Sequence, residues 1–451
     1  MTTHNSQLSP GDTQRMSLAP FILLVFIYFL VGFLTTVNEQ FQGPLKMAFL
    51  QDAGTMRNTF TTSISFFFFL GYLLNSRLAA RWIETSGYRR TMLRALELIV
   101  AGMLLYEAST QMVIHLDSFR IYYTGGNIPW GFLVFLVGSF VMGTSAAVLQ
   151  VVINSYVSAY NLPGTSPAQR LNITTALNPF GTTIAPFFVT LVVFSGVSLD
   201  KMTAEQLEIP FLFIAFVLAV VSLLSSRMTL PDIASTRNKD GEKLTRSIWS
   251  FRHLTLGVIA IFFYVGTEVG IGSNINLYAM EMIDKGDGPS FFGLHELVIG
   301  HMDMGIPALL ATLYWGGFLV GRTISSFFRN FNPRAMLLLT SVISTVLILL
   351  SMSMENLWLL AAVGLFHSVM WSCIFTLATS GLGAYTSKAS GVFMMGVFGG
   401  AVFPILQGVM ADALVSWRYT WIVTVVCELV MVGYALWGYK ITDKWCLDNL
   451  K

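Results

Sequence analysis

Apolar stretches long enough to cross a lipid bilayer recur from one end of this chain to the other. A spanning helix needs about 20 mostly apolar residues. We place such stretches at 20–48, 59–82, 91–113, 128–157, 168–197, 208–228, 252–281, 306–329, 334–353, 356–381, 388–413 and 418–440. Because backbone polar groups in hydrocarbon must be bonded within the protein, such segments fold as helices. The pattern predicts an all-α integral membrane protein with twelve transmembrane helices.

Composition and motifs exclude several other classes of protein. Only 11% of the 451 residues are charged and 54% are apolar, a balance that a soluble surface could not carry. The net charge of +2 does not indicate nucleic acid as a partner. The sequence contains no phosphate-cradling loop, and His295 and His301 are spaced too widely to share a helical face as metal ligands do. We therefore predict no cofactor and no metal site.

Basic residues collect in alternate loops. The loop after the second span holds Arg81, Arg89 and Arg90, and the central polar stretch is also basic, whereas the intervening loops contain little Lys or Arg. Basic loops face the cytoplasm. Both termini are therefore predicted to be cytoplasmic.

The central polar stretch divides the chain into two similar halves. Phe180-Gly181 with Pro186 in the fifth span recurs as Phe398-Gly399 with Pro404 in the eleventh. This repeat predicts two pseudo-symmetric six-helix bundles, as in transporters built from internal repeats. The expected divisions are a cytoplasmic tail 1–19, an N-terminal bundle 20–230, a linker 231–250, a C-terminal bundle 251–440 and a cytoplasmic tail 441–451.

Glycine and proline occupy matching places in the repeated spans. They are Gly181, Pro186, Gly399, Gly400 and Pro404. Such residues are tolerated in a spanning helix where neighbours or a cavity satisfy the freed backbone, and we expect them to serve conformational change. Close packing of small residues between helices is the equally open alternative for each one.

Two carboxyl groups stand inside apolar spans, where ionisable groups are costly and need a reason. Glu39 lies in the first span and Glu268 in the seventh. We predict that they handle a coupling proton; the alternative is a structural ion pair. His367 in the tenth span is interpreted as a helix–helix hydrogen bond rather than a proton relay.

Amide side chains follow the inner faces of neighbouring spans. Gln150 and Asn154 are four residues apart on the fourth span, and Thr175 and Asn178 are three apart on the fifth. Amides both donate and accept hydrogen bonds, as a polyhydroxyl solute requires. The candidate substrate residues are Asn38, Gln150, Asn154, Thr175, Asn178 and Asn276. The alternative is that they only tie helices together.

Several of these strings resemble a known family. They are Asn38-Glu39, Leu149-Gln150 with Asn154, Arg170-Leu171-Asn172, Asn178 with Phe180-Gly181-Thr182-Thr183-Ile184-Ala185-Pro186, Phe263-Tyr264-Val265-Gly266 with Glu268, and Gly399-Gly400-Ala401. The fifth-span string is the most specific. Across nearly its whole length the chain resembles the fucose–galactose–glucose:proton symporter family of the major facilitator superfamily.

The resemblance implies a proton-coupled importer of a hexose or deoxyhexose that works by alternating access in the cytoplasmic (inner) membrane, as a monomer. In fucose-transporting members an Asp stands at the place of Glu39, a Glu at Gln150 and a Gln at Thr175, while Asn178 matches an Asn at the sugar site. The Arg81, Arg89 and Arg90 turn resembles the superfamily's cytoplasmic loop motif, which implies a role in gating.

Two other functions stay open from the sequence. The same fold could move another small solute, such as an amino sugar or a nucleoside, or the chain could be a nutrient sensor that no longer transports. An enzyme is not predicted, because no nucleophile–base or metal pair stands out within the spans.

Overall fold

A computed structural model describes residues 18–116, 118–159, 170, 174, 177–189, 202–228, 246–290, 293, 296–299, 302–326 and 332–448. The main helices are α1 (Leu18–Gln40), α2 (Gln42–Ala48), α3 (Arg57–His115), α4 (Trp130–Ala159), α5 (Asn178–Phe188), α6 (Glu205–Arg227), α7 (Arg252–Asp284), α8 (Ile306–Ser326), α9 (Pro333–Met354), α10 (Leu357–His367), α11 (Met370–Thr379), α12 (Thr386–Phe393), α13 (Gly399–Leu414), α14 (Ile422–Gly433) and α15 (Lys444–Asp448). Short 3₁₀ turns lie at Gly54–Met56, Ile248–Ser250, Gly383–Tyr385, Met394–Phe398 and Arg418–Trp421, and a π-helix at Tyr434–Gly438.

The helices follow the predicted spans, with differences in how they are joined. The second and third spans are two helices that meet directly at Gly87, and both are included in α3. The non-helical angles of Gly87 (φ 77°, ψ 170°) separate them, and the positive φ suits a residue without a side chain. The first span is divided into α1 and α2, and the tenth into α10 and α11. Only part of the fifth span lies within the described residues.

Eight of the helices in the described part of the chain are long and apolar enough to cross a membrane. Their outward faces are apolar as well: Ile209 and Phe216 of α6 are 77% and 67% exposed. Exposed apolar rows of this kind suit contact with lipid tails rather than with water.

Two β-hairpins, which the sequence analysis did not foresee, cover one end of the molecule. Strands β1 (Arg120–Tyr123) and β2 (Gly126–Pro129) pair antiparallel between α3 and α4, and β3 (Glu296–Ile299) pairs with β4 (Met302–Gly305) between α7 and α8. The first hairpin is tied to the α2–α3 connection, because Arg120 forms a 2.7 Å ion pair with Asp52. We call this side of the protein the hairpin end.

The two halves of the chain meet at the hairpin end through α3 and α13. The Asp412 carboxylate accepts the backbone N–H groups of Asn58 at 3.0 Å and Thr59 at 2.7 Å, and the Thr59 hydroxyl at 2.6 Å. It therefore caps the start of α3, where helical N–H groups lack partners of their own. A Cβ at Gly408 would lie 2.1 Å from the Thr62 hydroxyl oxygen, so the two helices are in close contact there.

Candidate functional site

Asn38 and Glu39 lie near the C-terminal end of α1, and both are about 1% exposed. The Asn38 side-chain oxygen accepts hydrogen bonds from the Tyr106 hydroxyl of α3 and, at 3.2 Å, from the Ser139 hydroxyl of α4. These bonds use the amide oxygen within the N-terminal half. The Asn38 amide nitrogen has no hydrogen-bond partner among the described residues.

Glu39 faces the other half of the molecule. Neither of its carboxyl oxygens has a hydrogen-bond partner among the described residues. The ionisable group that acts on it electrostatically is Glu268 of α7, which repels its negative charge. A buried carboxylate without a partner is costly, whereas a protonated carboxyl is not. Glu39 is therefore placed to exist as a neutral acid and to become costly when it ionises.

Glu268 has more polar neighbours than Glu39. Tyr264 lies beside its carboxyl group, and the His367 ring and the Arg322 guanidinium are close enough to act on it electrostatically. Its backbone oxygen accepts a 2.9 Å hydrogen bond from the Tyr314 hydroxyl of α8. Glu268 thus belongs to a polar cluster in the C-terminal half and also faces Glu39.

The amide residues of α4 and α5 gather around Tyr28 of α1. The Asn178 amide nitrogen donates to the Tyr28 backbone oxygen at a long 3.4 Å, and the Tyr28 hydroxyl lies beside Asn154. Gln150, one turn from Asn154 on the same face of α4, is half-buried. Thr175 lies outside the described residues. The structure brings Gln150, Asn154 and Asn178 to the helix that also carries Glu39.

Asn276 lies in the contact between α7 and α1. Its amide nitrogen is 3.5 Å from the Gln40 side-chain oxygen, and the Gln40 nitrogen is 3.4 Å from the Gly272 backbone oxygen. Both are long hydrogen bonds that cross between the halves. Asn276 is therefore close in space to Gln40, the residue after Glu39, and is engaged in a contact between helices.

The predicted gating glycines are sites of close helix contact. A Cβ at Gly181 would meet the Phe29 backbone oxygen of α1 at 2.4 Å, and one at Gly399 would meet the Phe262 oxygen of α7 at 1.7 Å. At Gly400 it would meet the Phe69 ring of α3, across the two halves, at 2.9 Å. These contacts are what small-residue packing requires. A conformational role stays a prediction.

Pro186 and Pro404 lie inside α5 and α13, which continue past them without a break.

The arginine turn contacts another helix. Arg89 donates a 2.6 Å hydrogen bond to the Ser226 backbone oxygen at the end of α6, while Arg81 and Arg90 are exposed. Arg89 thus ties the part of α3 that follows Gly87 to the last helix of its own half.

Sequence reasoning missed Glu428 of α14. Its carboxyl oxygen lies 2.6 Å from the His367 ring nitrogen Nε2, and both side chains are fully buried. The signal was available, because a glutamate within the apolar run 418–440 is as conspicuous as Glu39. The His367 interpretation as a helix–helix hydrogen bond agrees with this contact.

A cavity of about 200 Å³ lies in the C-terminal half, lined by Arg322, Ser368, Cys373 and their neighbours. It contains none of the predicted substrate residues. Arg322 of α8 donates from Nε to the Ser368 backbone oxygen at 3.0 Å.

Two helical halves that bring the buried carboxyl group of Glu39 to face the half-buried one of Glu268 are typical of a membrane transporter. A family model described as Major Facilitator Superfamily matches residues 16–401. The chain belongs to this superfamily, and it is a transporter rather than an enzyme. The predicted major facilitator fold and the family resemblance are confirmed.

Relatives and a solved structure cover nearly the whole chain. A glucose/galactose transporter of Brucella abortus is 30% identical over 423 residues, which are 92% of this chain and 93% of the relative. The L-fucose-proton symporter of Escherichia coli is 24% identical over 447 residues, 93% of each. The crystal structure of an E. coli fucose:proton symporter aligns with a TM-score of 0.58 at 22% identity, over 93% of this chain and 98% of that chain.

Proposed function

We propose that this protein imports a monosaccharide, a hexose or deoxyhexose, together with a proton by alternating access. The observation that carries the proposal is Glu39, a buried carboxyl group without a hydrogen-bond partner among the described residues, which faces Glu268 across the two halves. The relatives' names support the choice of sugar and proton.

The sugar is held in this proposal between α1, α4, α5 and α7. Gln150, Asn154 and Asn178 supply amide donors and acceptors beside the aromatic ring of Tyr28. Asn38, Thr175 and Asn276 complete the set of candidate substrate residues. Once a bound sugar excludes water from these half-buried amides, they discriminate against solutes that leave them unpaired.

Glu39 carries the coupling proton, and Glu268 supports it. Two carboxylates that repel each other in a desolvated interface favour the state in which one is protonated. A proton on Glu39 removes a negative charge from the interface, and the loaded carrier can then change conformation at lower cost. The Gly181, Pro186, Gly399, Gly400 and Pro404 positions, together with the Arg81, Arg89 and Arg90 turn, serve this movement.

The proposed setting is the cytoplasmic membrane, with a monomer in contact with lipid. The basic loops and both termini lie in the cytoplasm, so the hairpin end faces outward. The chain divides into the bundles 20–230 and 251–440, joined by the cytoplasmic linker 231–250, of which residues 246–250 belong to the described part.

The test is uptake of labelled D-glucose, D-galactose and L-fucose into proteoliposomes with an imposed pH gradient. One proton per sugar allows at most about tenfold accumulation for each pH unit, since a unit corresponds to about 1.36 kcal/mol. We expect accumulation of at least one sugar that a protonophore abolishes. Uptake of nucleosides but of no sugar would contradict the proposal that the substrate is a sugar. Uptake that does not depend on the pH gradient would contradict the proposal of proton coupling.

Variants separate the two carboxyl groups. Glu39→Gln mimics the protonated acid, and we expect it to exchange sugar across the membrane but to lose accumulation driven by the pH gradient. Glu268→Gln is the matched control. If only Glu268→Gln abolishes coupling while Glu39→Gln accumulates sugar normally, the coupling proton belongs to Glu268.

A further inference from the structure

His367 and Glu428 form a pair in the C-terminal half, on different helices from Glu39. His367 is the last residue of α10 and Glu428 lies in the middle of α14. His367 Nε2 and Glu428 Oε1 are 2.6 Å apart, and both side chains are 0% exposed. Two ionisable groups buried at this depth are costly unless they satisfy each other.

The Tyr314 hydroxyl fixes the proton on the other nitrogen of the His367 ring. Its oxygen lies 2.9 Å from the Glu268 backbone oxygen and 2.8 Å from His367 Nδ1. A carbonyl oxygen can only accept, so the single Tyr314 hydroxyl hydrogen is donated to Glu268. The Tyr314 oxygen must then accept from His367, whose Nδ1 therefore carries a hydrogen.

The short contact on the opposite side of the ring consequently holds one proton. Either Glu428 is protonated and donates to His367 Nε2, or the imidazolium donates to the Glu428 carboxylate; in both cases the pair is neutral. Without this proton, two lone pairs would face each other at 2.6 Å, and Glu428 would bear an uncompensated buried charge.

Few other groups could neutralise Glu428. The Thr267 hydroxyl of α7 lies beside the Glu428 carboxyl group, but it is a neutral group and cannot balance a charge. The charged groups facing the pair are Glu268 of α7 and Arg322 of α8, and Arg322 directs its Nε to the Ser368 backbone oxygen. The other ionisable side chains that face it are the Tyr264 and Tyr314 hydroxyls, along with the neighbouring Cys427 thiol.

The two remaining helices beside α14 bring no charge to the pair. Arg334 is the one ionisable residue of α9, and its Nε donates to the Ala435 backbone oxygen. Asp412 is the one ionisable residue of α13 and is engaged at the hairpin end with the start of α3. The proton shared with His367 is therefore what balances Glu428.

The pair is attached to a break in the tenth span. Helix α10 ends at His367 and α11 begins at Met370. The His367 backbone oxygen accepts a 2.9 Å hydrogen bond from the Tyr264 hydroxyl of α7, so a side chain from another span is bonded to the backbone at this point. Irregular backbone at membrane depth occurs where the protein buries it or where a transporter moves.

We propose that His367 and Glu428 form a second proton-binding site, whose shared proton holds the broken tenth span against the twelfth during reorientation of the carrier. This inference rests on the proposed transport function. When water or hydroxide at alkaline pH removes the proton, a neutral imidazole and a carboxylate remain, the bond is lost, and reorientation stops. The site consists of residues other than Glu39, which carries the coupling proton.

The first test needs no transport. The full-length protein in lipid nanodiscs is labelled with ¹⁵N-histidine, and the His367 signals are assigned as those missing from His367→Gln. We expect an Nδ1–H ring whose Nε2 shift reports the shared proton and changes at alkaline pH. In Glu428→Gln the amide can donate to Nε2 but cannot ionise, so this change should be absent. Identical Nε2 titrations in the two proteins would overturn the shared proton.

The second test measures D-galactose and D-glucose exchange between pH 6 and pH 10 in a Glu39→Gln background, where the coupling acid no longer titrates. Above the pH at which the His367–Glu428 pair loses its proton, the fraction of carriers with a protonated pair falls about tenfold for each further pH unit. The rate of sugar exchange should fall by the same factor. Adding Glu428→Gln should abolish this fall, whereas Glu355→Gln, the same change at an exposed site, should not. Superimposable pH profiles for all three proteins would refute a functional role for the pair.

The two tests also separate this inference from the transport proposal. If no sugar is exchanged by any of the proteins, the transport proposal fails while the ¹⁵N titration still decides whether the proton is shared.

Discussion

Asp412 should control how firmly the two halves close at the hairpin end. Its carboxylate accepts three hydrogen bonds from the start of α3, two from backbone N–H groups and one from the Thr59 hydroxyl. In Asp412→Asn one oxygen becomes an NH₂ group, which cannot accept a hydrogen bond. The variant therefore loses at least one bond outright and the charge that strengthens the others.

The magnitude follows from these bonds. A hydrogen bond to a charged group contributes about 1.5–3 kcal/mol and a neutral one about 0.5–1.5 kcal/mol. Asp412→Asn should thus weaken closure by about 2–4 kcal/mol, which shifts the equilibrium between closed and open roughly 30- to 700-fold toward open. Asp412→Ala, which loses all three bonds, should shift it further.

Spin labels on opposite halves can measure this opening. Gln51 follows α2, and Leu414 ends α13; both are exposed at the hairpin end. With the native cysteines replaced by serine, pulsed electron spin resonance should show longer distances between the two labels in Asp412→Asn. Asp287→Asn removes a charge from the same end without a described bond to α3, and it should leave the distances unchanged. Unaltered distances in a folded Asp412→Ala protein would refute the reasoning.

Three further predictions concern the sugar site, the orientation and the tail. Asn178→Ala should weaken sugar binding by about 1–3 kcal/mol, as measured by calorimetry. An unchanged affinity would mean that Asn178 serves only as a contact between helices. A cysteine at Lys239 should be labelled from the cytoplasm and one at Asp287 from outside; opposite labelling reverses the orientation. A hydrogen bond from Arg246 lowers the pKa of Asp443. The stability that this contact contributes is therefore present above the unfolded pKa of Asp443 and is lost as pH falls through the folded one. Amide hydrogen-exchange protection of the helix Lys444–Asp448 should fall over that pH range, and unchanged protection would contradict the role of the contact.

The membrane-spanning helices could be predicted because hydrocarbon leaves the backbone few alternatives. The break after His367 could not, since no glycine or proline stands there. The Tyr264 hydroxyl donates to the His367 oxygen and Arg322 donates to the Ser368 oxygen, and both side chains come from other spans. A helix end set by tertiary contacts leaves no local pattern.

The residues of the candidate site also fall into those that the sequence could show and those that it could not. Glu39 was visible because a charge interrupts an apolar run, and Glu428 carried the same signal without being recognised. Asp412 was not visible, since an acid near the end of a span is ordinary. Its importance depends on α3 lying opposite, which is known only once the halves are placed together.

The first β-hairpin is a place where an antibody fragment can bind for imaging while the carrier stays free to move. It is bonded to the connection within its own half, through the Arg120–Asp52 ion pair and a 2.9 Å hydrogen bond from the Asn127 N–H to the Asp52 backbone oxygen. An antibody fragment raised against its exposed Tyr122 would bind to that half alone and move with it. It would add mass and a fiducial mark for electron cryo-microscopy of a small membrane protein without clamping one half to the other.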